Sequence, residues 1–276
     1  MTGKTRVTEM YDRHPISAAQ VLAKVTDLRG TLDGVTPPDL FDHDQDHYGG
    51  LAANVAIAVR AQLKPDQKVA DFCAGLGGPA RYLAHSINVH VTGIELNENR
   101  VAGAEELTSL VGLDGLVQVQ QGDVTATGLD DAAFDAVVSQ EAFLHVSDKG
   151  AAIEEAWRIL KPGGRLVFTD WVLHELLDAE DADILWQGLA AQTLKSLHDY
   201  EVLLTRAGFA VESTEDLTQD WAHILEARFR MYQTLHAETS KAGLPEGEDM
   251  FYRAYVRLVD LVQAGRLGGG RFAARK

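Results

Sequence analysis

Three acidic residues stand at matching places in successive segments of the sequence: Asp71 in KVADFCAGLGGPARYLA, Glu95 in VTGIELN and Asp123 in QQGDVTA. Each closes or directly follows a short apolar run. A carboxylate so placed accepts hydrogen bonds from hydroxyls or amines, with capacity on both oxygens. Between Asp71 and the next helical segment lies a glycine-rich turn containing Gly75, Gly77 and Gly78. Glycine permits positive φ and lets a ligand approach the main chain. The helix that follows offers unpaired N–H groups to an anionic or polar group. Read from Gly75, the turn fits G-x-G-x-x-A, and Glu95 follows 20 residues later, where a ribose-binding acid would sit. A nicotinamide or flavin enzyme is therefore one competing reading. Asp71 or Asp123 alone would read as a helix cap or turn former; their joint placement after three strands argues for a site.

Two further stretches carry reactive side chains. FDHDQDHYGG, residues 41–50, packs two His, three Asp and a Tyr ahead of a glycine pair. His43, Asp44, Asp46 and His47 supply metal-ligand types, but their crowded spacing matches no common motif, and no metal is expected. SQEAFLH, residues 139–145, brings Gln140, Glu141 and His145 together after an apolar run.

The elements that must position these groups follow from periodicity. Short apolar runs at 68–72, 89–96, 117–121, 134–139, 165–172 and 209–216 alternate with helical patterns at 78–86, 98–111, 149–160 and 195–207. That alternation predicts a parallel sheet covered on both faces, with its ligand at the carboxyl ends of the strands. Ahead of it, Ser17 and Gly30 bracket a capped helix, residues 31–50 read as a loop, and 51–63 as a second helix. From 220 to 265 two helical stripes interrupt the alternation, one with Trp221, Ile224, Leu225, Phe229, Tyr232 and Leu235, the other with Phe251, Tyr255, Leu258, Val259 and Val262. Most of these aromatics are expected in a core, with Trp221, Tyr252 or Tyr255 reaching a ligand. GRLGGGRFAARK returns as a last strand.

The whole composition bounds the function. A chain of 276 residues with 46% apolar content can build one sizeable core. Its net charge of −16 disfavours a polyanionic partner, so no nucleic acid is expected. One cysteine, Cys73, allows no intrachain disulfide. No apolar run approaches a membrane span, and MTGKTRVTEMYDRH has no apolar signal-peptide core; a cytoplasmic protein acting away from membranes is expected. Assembly as a homo-oligomer stays open.

The ordered set of Asp71 with its glycine turn, Glu95, Asp123, FDAVVSQEAFLHV and RILKPGGRLVFTDW resembles the class I S-adenosylmethionine-dependent methyltransferases. It is most similar to their small-molecule branch, which includes ubiquinone/menaquinone, sarcosine/dimethylglycine and sugar O-methyltransferases. The resemblance covers residues 45–175 well and the flanks in outline. It implies an α/β, Rossmann-like, doubly wound and mostly parallel seven-stranded sheet. An N-terminal helical lid spans 1–64, the S-adenosylmethionine-binding core 65–218, a helical cap insertion 219–266, and the last strand 267–276. It implies S-adenosyl-L-methionine as cofactor, with Asp71 facing the methionine amino group, Glu95 the ribose hydroxyls and Asp123 the adenine amine. Leu96, Val124, Gln140, Gly75 and Gly77 belong to the same cradle. Cys73 stands where the family has the first glycine of its turn, and an adjusted loop is expected there. His145 and Asp170 match a base and its partner in the sugar O-methyltransferases; Glu141 would receive a cationic product or anchor the cofactor, and His174 and Glu175 would line the same pocket. His47-Tyr48-Gly49-Gly50 fits the family's aromatic-glycine lid segment, placing Tyr48 and Gly50 beside the cofactor, with Tyr11, His14 and Gln45 as weaker lid candidates. The implied activity is methyl transfer to oxygen or nitrogen of a small-molecule acceptor, with a C-methyltransferase acting on an isoprenoid or other nucleophilic carbon as the alternative and an NAD(P)-dependent oxidoreductase as a further one.

Overall fold

In the computed structural model, residues 3–12, 14, 16–45, 47–239 and 248–276 are described; Asp46 and the side chains of Tyr232 and Leu235 lie outside them. Four N-terminal helices come first: α1 (Gly3–Asp12), α2 (Ala18–Arg29), α3 (Pro37–Phe41) and α4 (Gly50–Ala61). The core runs β1 (Lys68–Phe72), α5 (Gly78–Ile87), β2 (His90–Glu95), α6 (Glu98–Leu110), β3 (Val117–Gln121), β4 (Phe134–Gln140), α7 (Lys149–Ile159), β5 (Leu160–Leu173), α8 (Ala179–Leu189), α9 (Leu197–Arg206) and β6 (Ala210–Asp216). Two helices, α10 (Thr218–Thr239) and α11 (Glu248–Gln263), precede β7 (Leu267–Arg275).

The seven strands form one sheet in the order β3-β2-β1-β4-β5-β7-β6. β1 pairs parallel with β2 and β4, β2 with β3, and β4 with β5, whereas β7 lies antiparallel between β5 and β6. Two apolar layers cover its faces. One packs Phe72, Ile153, Phe168, Tyr200 and Phe272; the other packs Ile57, Val69, Leu83, Val91 and Val167. A third cluster joins Tyr48, Trp171, Trp221, Leu225, Ala254 and Leu258 and fastens the α8–α10–α11 cap to the sheet. Close approach requires glycine there. A Cβ at Gly269 would lie 2.3 Å from the Trp221 ring, and one at Gly188 would lie 2.3 Å from the Ala254 Cβ.

The N-terminal half holds more helix than its sequence predicts. The segment read as a loop contains α3, whose Thr36 and Asp39 form a capping box with proline at the first helical positions. Proline breaks a helix interior but suits a helix start. α1 and α8 also lie outside the predicted helices; α1 offers few apolar positions. Ser17 and Gly30 cap α2 as read: Ser17 accepts from the Gln20 N–H, and Gly30 is left-handed at φ 76°.

The loop after α3 is pinned by a buried ion pair. Arg81 of α5 reaches the Asp44 carboxylate at 2.9 Å, with both side chains fully buried. Burial outweighs their attraction, holding Asp44 above and Arg81 below its ordinary pKa. Main chain fixes the same contact, because a Cβ on Gly78 would meet the Asp44 carbonyl oxygen at 2.0 Å. Replacing Arg81 by Leu strands a buried carboxylate and is expected to lower unfolding stability by about 3–5 kcal/mol in urea titration. The Arg81→Leu/Asp44→Leu pair should recover much of that loss.

Candidate functional site

Parallel pairing carries Asp71, Glu95 and Gln140 to one edge of the sheet, and Asp123 follows β3 at the same edge. There a cavity of about 610 Å³ opens between the strand ends, α1, the 44–48 loop and the cap. Asp71, Cys73, Gly75, Glu95, Leu96, Asp123, Val124, Gln140, Glu141, His145 and Tyr48 all line it. Gly77, Gly50 and Asp170 do not; Gly78 takes the wall position in the turn. His174 and Glu175 also stay outside: His174 bonds Thr218 at 2.8 Å, and Glu175 faces Arg266 at 3.6 Å. Tyr255 and Phe251 reach the cavity from α11, whereas Trp221 backs onto Tyr48 instead, their ring centroids 4.9 Å apart.

Each acid has a distinct environment. Asp71 is buried, and among the described residues nothing hydrogen-bonds its Oδ2. Burial first, and then the neighbouring Glu95 carboxylate, pushes its pKa to about 7. Glu95 accepts from the Gly75 N–H through Oε2 and from the Asn97 N–H through Oε1, both at 2.9 Å. These amides fix the carboxylate while lone pairs remain on both oxygens. Asp123 closes a turn by accepting from the Thr125 N–H at 2.9 Å and its hydroxyl at 2.7 Å.

The turn itself keeps a glycine-like path. Gly75 and Gly77 have φ of 56° and 74°, and Cys73 has φ of 59°. The cysteine thus adopts the left-handed conformation of the glycine it replaces, which costs about 1–2 kcal/mol. Desolvation, and then Glu95, Asp71 and Asp123, push its thiol pKa well up, keeping it protonated.

The opposite wall departs from expectation. His145 lies in a single 3-10 turn, Phe143–His145, after β4. It is not paired with Asp170. Its Nδ1 lies 3.1 Å from the Ala190 carbonyl oxygen, and its Nε2 3.0 Å from the Tyr11 hydroxyl. A carbonyl only accepts, so Nδ1 carries the proton and Nε2 accepts from the phenol. Asp170 sits beneath that turn, fully buried, accepting from the Leu144 N–H at 2.9 Å and from the Tyr200 hydroxyl. Its carboxylate serves the backbone that carries His145; burial pushes its pKa to about 6. Glu141, at φ 52°, accepts the Tyr48 N–H with both oxygens, at 2.9 and 2.8 Å, and so clasps the glycine-pair segment. Two of that segment's metal-ligand types are otherwise engaged: Asp44 pairs with Arg81, and His47 contacts Gln45 and the Tyr48 carbonyl.

The sequence reading missed several contributors. Arg228 of α10 donates to the His47 carbonyl at 2.8 Å, and its guanidinium lies 4.7 Å from the Tyr48 ring centroid. Arg100 sits 4.6 Å over the Tyr11 ring. Asn54 links the site to α4 by accepting from Gln140 at 2.7 Å. Lys149 ties the His145 turn to Gln192 and Thr193 through its ammonium.

Residues 70–168 match the family model described as a methyltransferase domain. The chain carries a class I S-adenosylmethionine-dependent methyltransferase domain. It is 33% identical over 215 residues to the glycine/sarcosine/dimethylglycine N-methyltransferase of Actinopolyspora halophila, covering 77% of this chain and 37% of that protein. It is 32% identical over 176 residues to 24-methylenesterol C-methyltransferase 2 of Arabidopsis thaliana, covering 62% of this chain and 49% of that protein. The chain thus spans half or less of these two relatives. Its fold matches Haemonchus contortus phosphoethanolamine N-methyltransferase 2, solved with phosphomonomethylethanolamine and S-adenosylhomocysteine, at a TM-score of 0.77 and 23% identity, covering 98% of this chain and 60% of that one.

The cradle of this methyltransferase domain fits the cofactor. A buried carboxylate oxygen with open acceptor capacity, an amide-fixed Glu95 and an apolar Leu96–Val124 pair offer places for a cationic amine, a diol and a base. Two outcomes follow from the site geometry. Asp71 is largely protonated below its pKa, and an approaching ammonium group favours its ionised form. Binding of S-adenosylhomocysteine at about pH 6 should therefore release a proton, and the release should fade as the pH rises past about 7 and vanish in Asp71→Asn. Calorimetry in buffers of different ionisation enthalpy reads both. With a hydroxyl acceptor, Tyr11→Phe removes the phenol from His145 Nε2 and should lower kcat by about 10²-fold or more while leaving S-adenosylhomocysteine affinity within about twofold, measured by single-turnover methyl transfer and calorimetry.

Proposed function

We propose that this chain transfers a methyl group from S-adenosyl-L-methionine to oxygen or nitrogen of a small-molecule metabolite. The observation that carries this is the convergence of Asp71, Glu95 and Asp123 on one cavity, with Asp71 Oδ2 open beside the glycine turn. When bound, S-adenosylmethionine supplies an electrophilic methyl group on a good leaving group. The protein's task is then to orient the acceptor and exclude water. Asp71 receives the amino group, Glu95 the ribose hydroxyls, and Asp123 with Val124 the adenine. Tyr48, held by Glu141 and Arg228, and α1, carrying Tyr11, shut the cavity from the N-terminal side, and the cap shuts it from the other. For a hydroxyl acceptor, the proton passes to Tyr11 Oη as the phenol proton moves to His145 Nε2. An amine acceptor can lose its proton to solvent.

A nucleophilic carbon is the second reading; the apolar wall formed by Leu144, Trp171, Leu189 and Leu258 favours it. The oxidoreductase reading loses support, because the antiparallel β7 between β5 and β6 departs from the strand order 3-2-1-4-5-6 of dinucleotide-binding folds. The same proposal places the reaction in the cytoplasm on a small acceptor rather than nucleic acid, in keeping with a net charge of −16. Among the described residues no helix is long and apolar enough to cross a membrane.

Glu95→Ala should weaken S-adenosylhomocysteine binding by about 1–3 kcal/mol in calorimetry. In the wild-type chain, tight NAD(P) binding with no response to S-adenosylhomocysteine would reverse the assignment. A labelled-methyl screen against cell extract, with mass identification of the product, names the acceptor.

A further inference from the structure

The wall facing the three acids differs sharply from the cradle. Leu144 and Trp171 come from the core side of this wall, Leu189 from α8, and Phe251, Tyr255 and Leu258 from α11. Five of these six have wholly hydrocarbon or indole side chains, and nothing among them carries charge. Polar methyl acceptors the size of an amino acid would leave such a surface wet or empty, whereas an apolar body would gain roughly 25 cal/mol for each Å² it buries. One charged group interrupts this surface. Among the described residues, Arg228 is the one cation the cap turns toward the cavity. It donates to the His47 carbonyl and lies over the Tyr48 ring, and no carboxylate among the described residues pairs with it. Its remaining N–H groups keep the fork geometry that receives a carboxylate or phosphate. The nearby acids are engaged elsewhere: Asp44 with Arg81, and Glu141 with the Tyr48 amide.

We propose that the acceptor is an amphiphile: an apolar body seated against the cap, with one anionic group, carboxylate or phosphate monoester, read by Arg228. This deepens the methyl-transfer reading and rests on it. Arg228 would be a specificity residue, and its contact with Tyr48 would couple anion binding to closure of the 47–50 segment.

The test is calorimetric titration of the full chain with octanoate, octyl phosphate, octanol and sarcosine, with and without S-adenosylhomocysteine. Octanoate or octyl phosphate should bind at least about tenfold more tightly than octanol, and both more tightly than sarcosine; the tighter anion identifies the headgroup. Arg228→Met should cost the anions about tenfold or more and leave octanol unchanged, with Arg228→Lys retaining part of the anion affinity. Sarcosine binding without octanoate or octyl phosphate binding would overturn the proposal. So would an equal loss of octanol and anions in Arg228→Met, which would make Arg228 only a brace for Tyr48. Failure of S-adenosylhomocysteine to bind would sink the cofactor assignment, while the titrations made without it would still decide the acceptor class.

Discussion

Carboxylates gathered at one edge of a parallel sheet repel each other and resist leaving water, and this constraint shapes the rest of the site. Asp71 is the last residue but one of β1 and Glu95 ends β2, in strands paired with Asp71 opposite Gly93. Water would ease that crowding, yet α1, the 44–48 loop and the cap limit its access. Glu95 is stabilised by two amides, one from Gly75 in the glycine turn after β1 and one from Asn97 just beyond its own strand. Asp71 has no such relief and retains a proton up to about pH 7. A folded chain that holds an acid in this state is poised for a cationic partner, since that partner repays the desolvation already incurred.

The segments closing the cavity converge on Tyr48. Its amide is held by Glu141 from the strand side, its ring by Trp221 and Arg228 from the cap. Trp221 in turn lies flat on Gly269, where no side chain could stand. N-terminal loop, core and cap therefore share one residue as their common contact. The Asp44–Arg81 pair sets the loop's path a few residues earlier, so the approach of Tyr48 is fixed at both ends.

The sheet and most of its helices were legible because their signals are local. Alternating apolar runs and Gly-rich turns located β1 through β7 within a few residues, and the three acids fell where those runs end. α3 was hidden by a proline pair that breaks helices in one context and starts them in another. α1 was hidden by its polarity, with Val7 its one residue described as buried. The site was less legible where it depends on distant pairings. Tyr11 and His145 lie 134 positions apart, and no periodicity joins them. Asp170 was assigned to His145 from resemblance, yet its oxygens bind Leu144 and Tyr200, because the 3-10 turn needs an acceptor beneath it. Cys73 shows the converse: a side chain where glycine is usual, with the glycine conformation retained.

β7 is flanked by β5 and β6, both of which precede it in sequence, and it runs against both. Until it docks, those two strands have no partner across the gap, and a direct β5–β6 ladder would be a trap that must dissolve before the sheet can finish. The cap is delayed as well, because α10 seats on glycines that belong to this strand. Assembly is thus ordered by topology: the β1–β4 half, with its cluster of acids, can form from nearby contacts, whereas the hydrophobic roof waits for the long-range closure that sets the pace of folding.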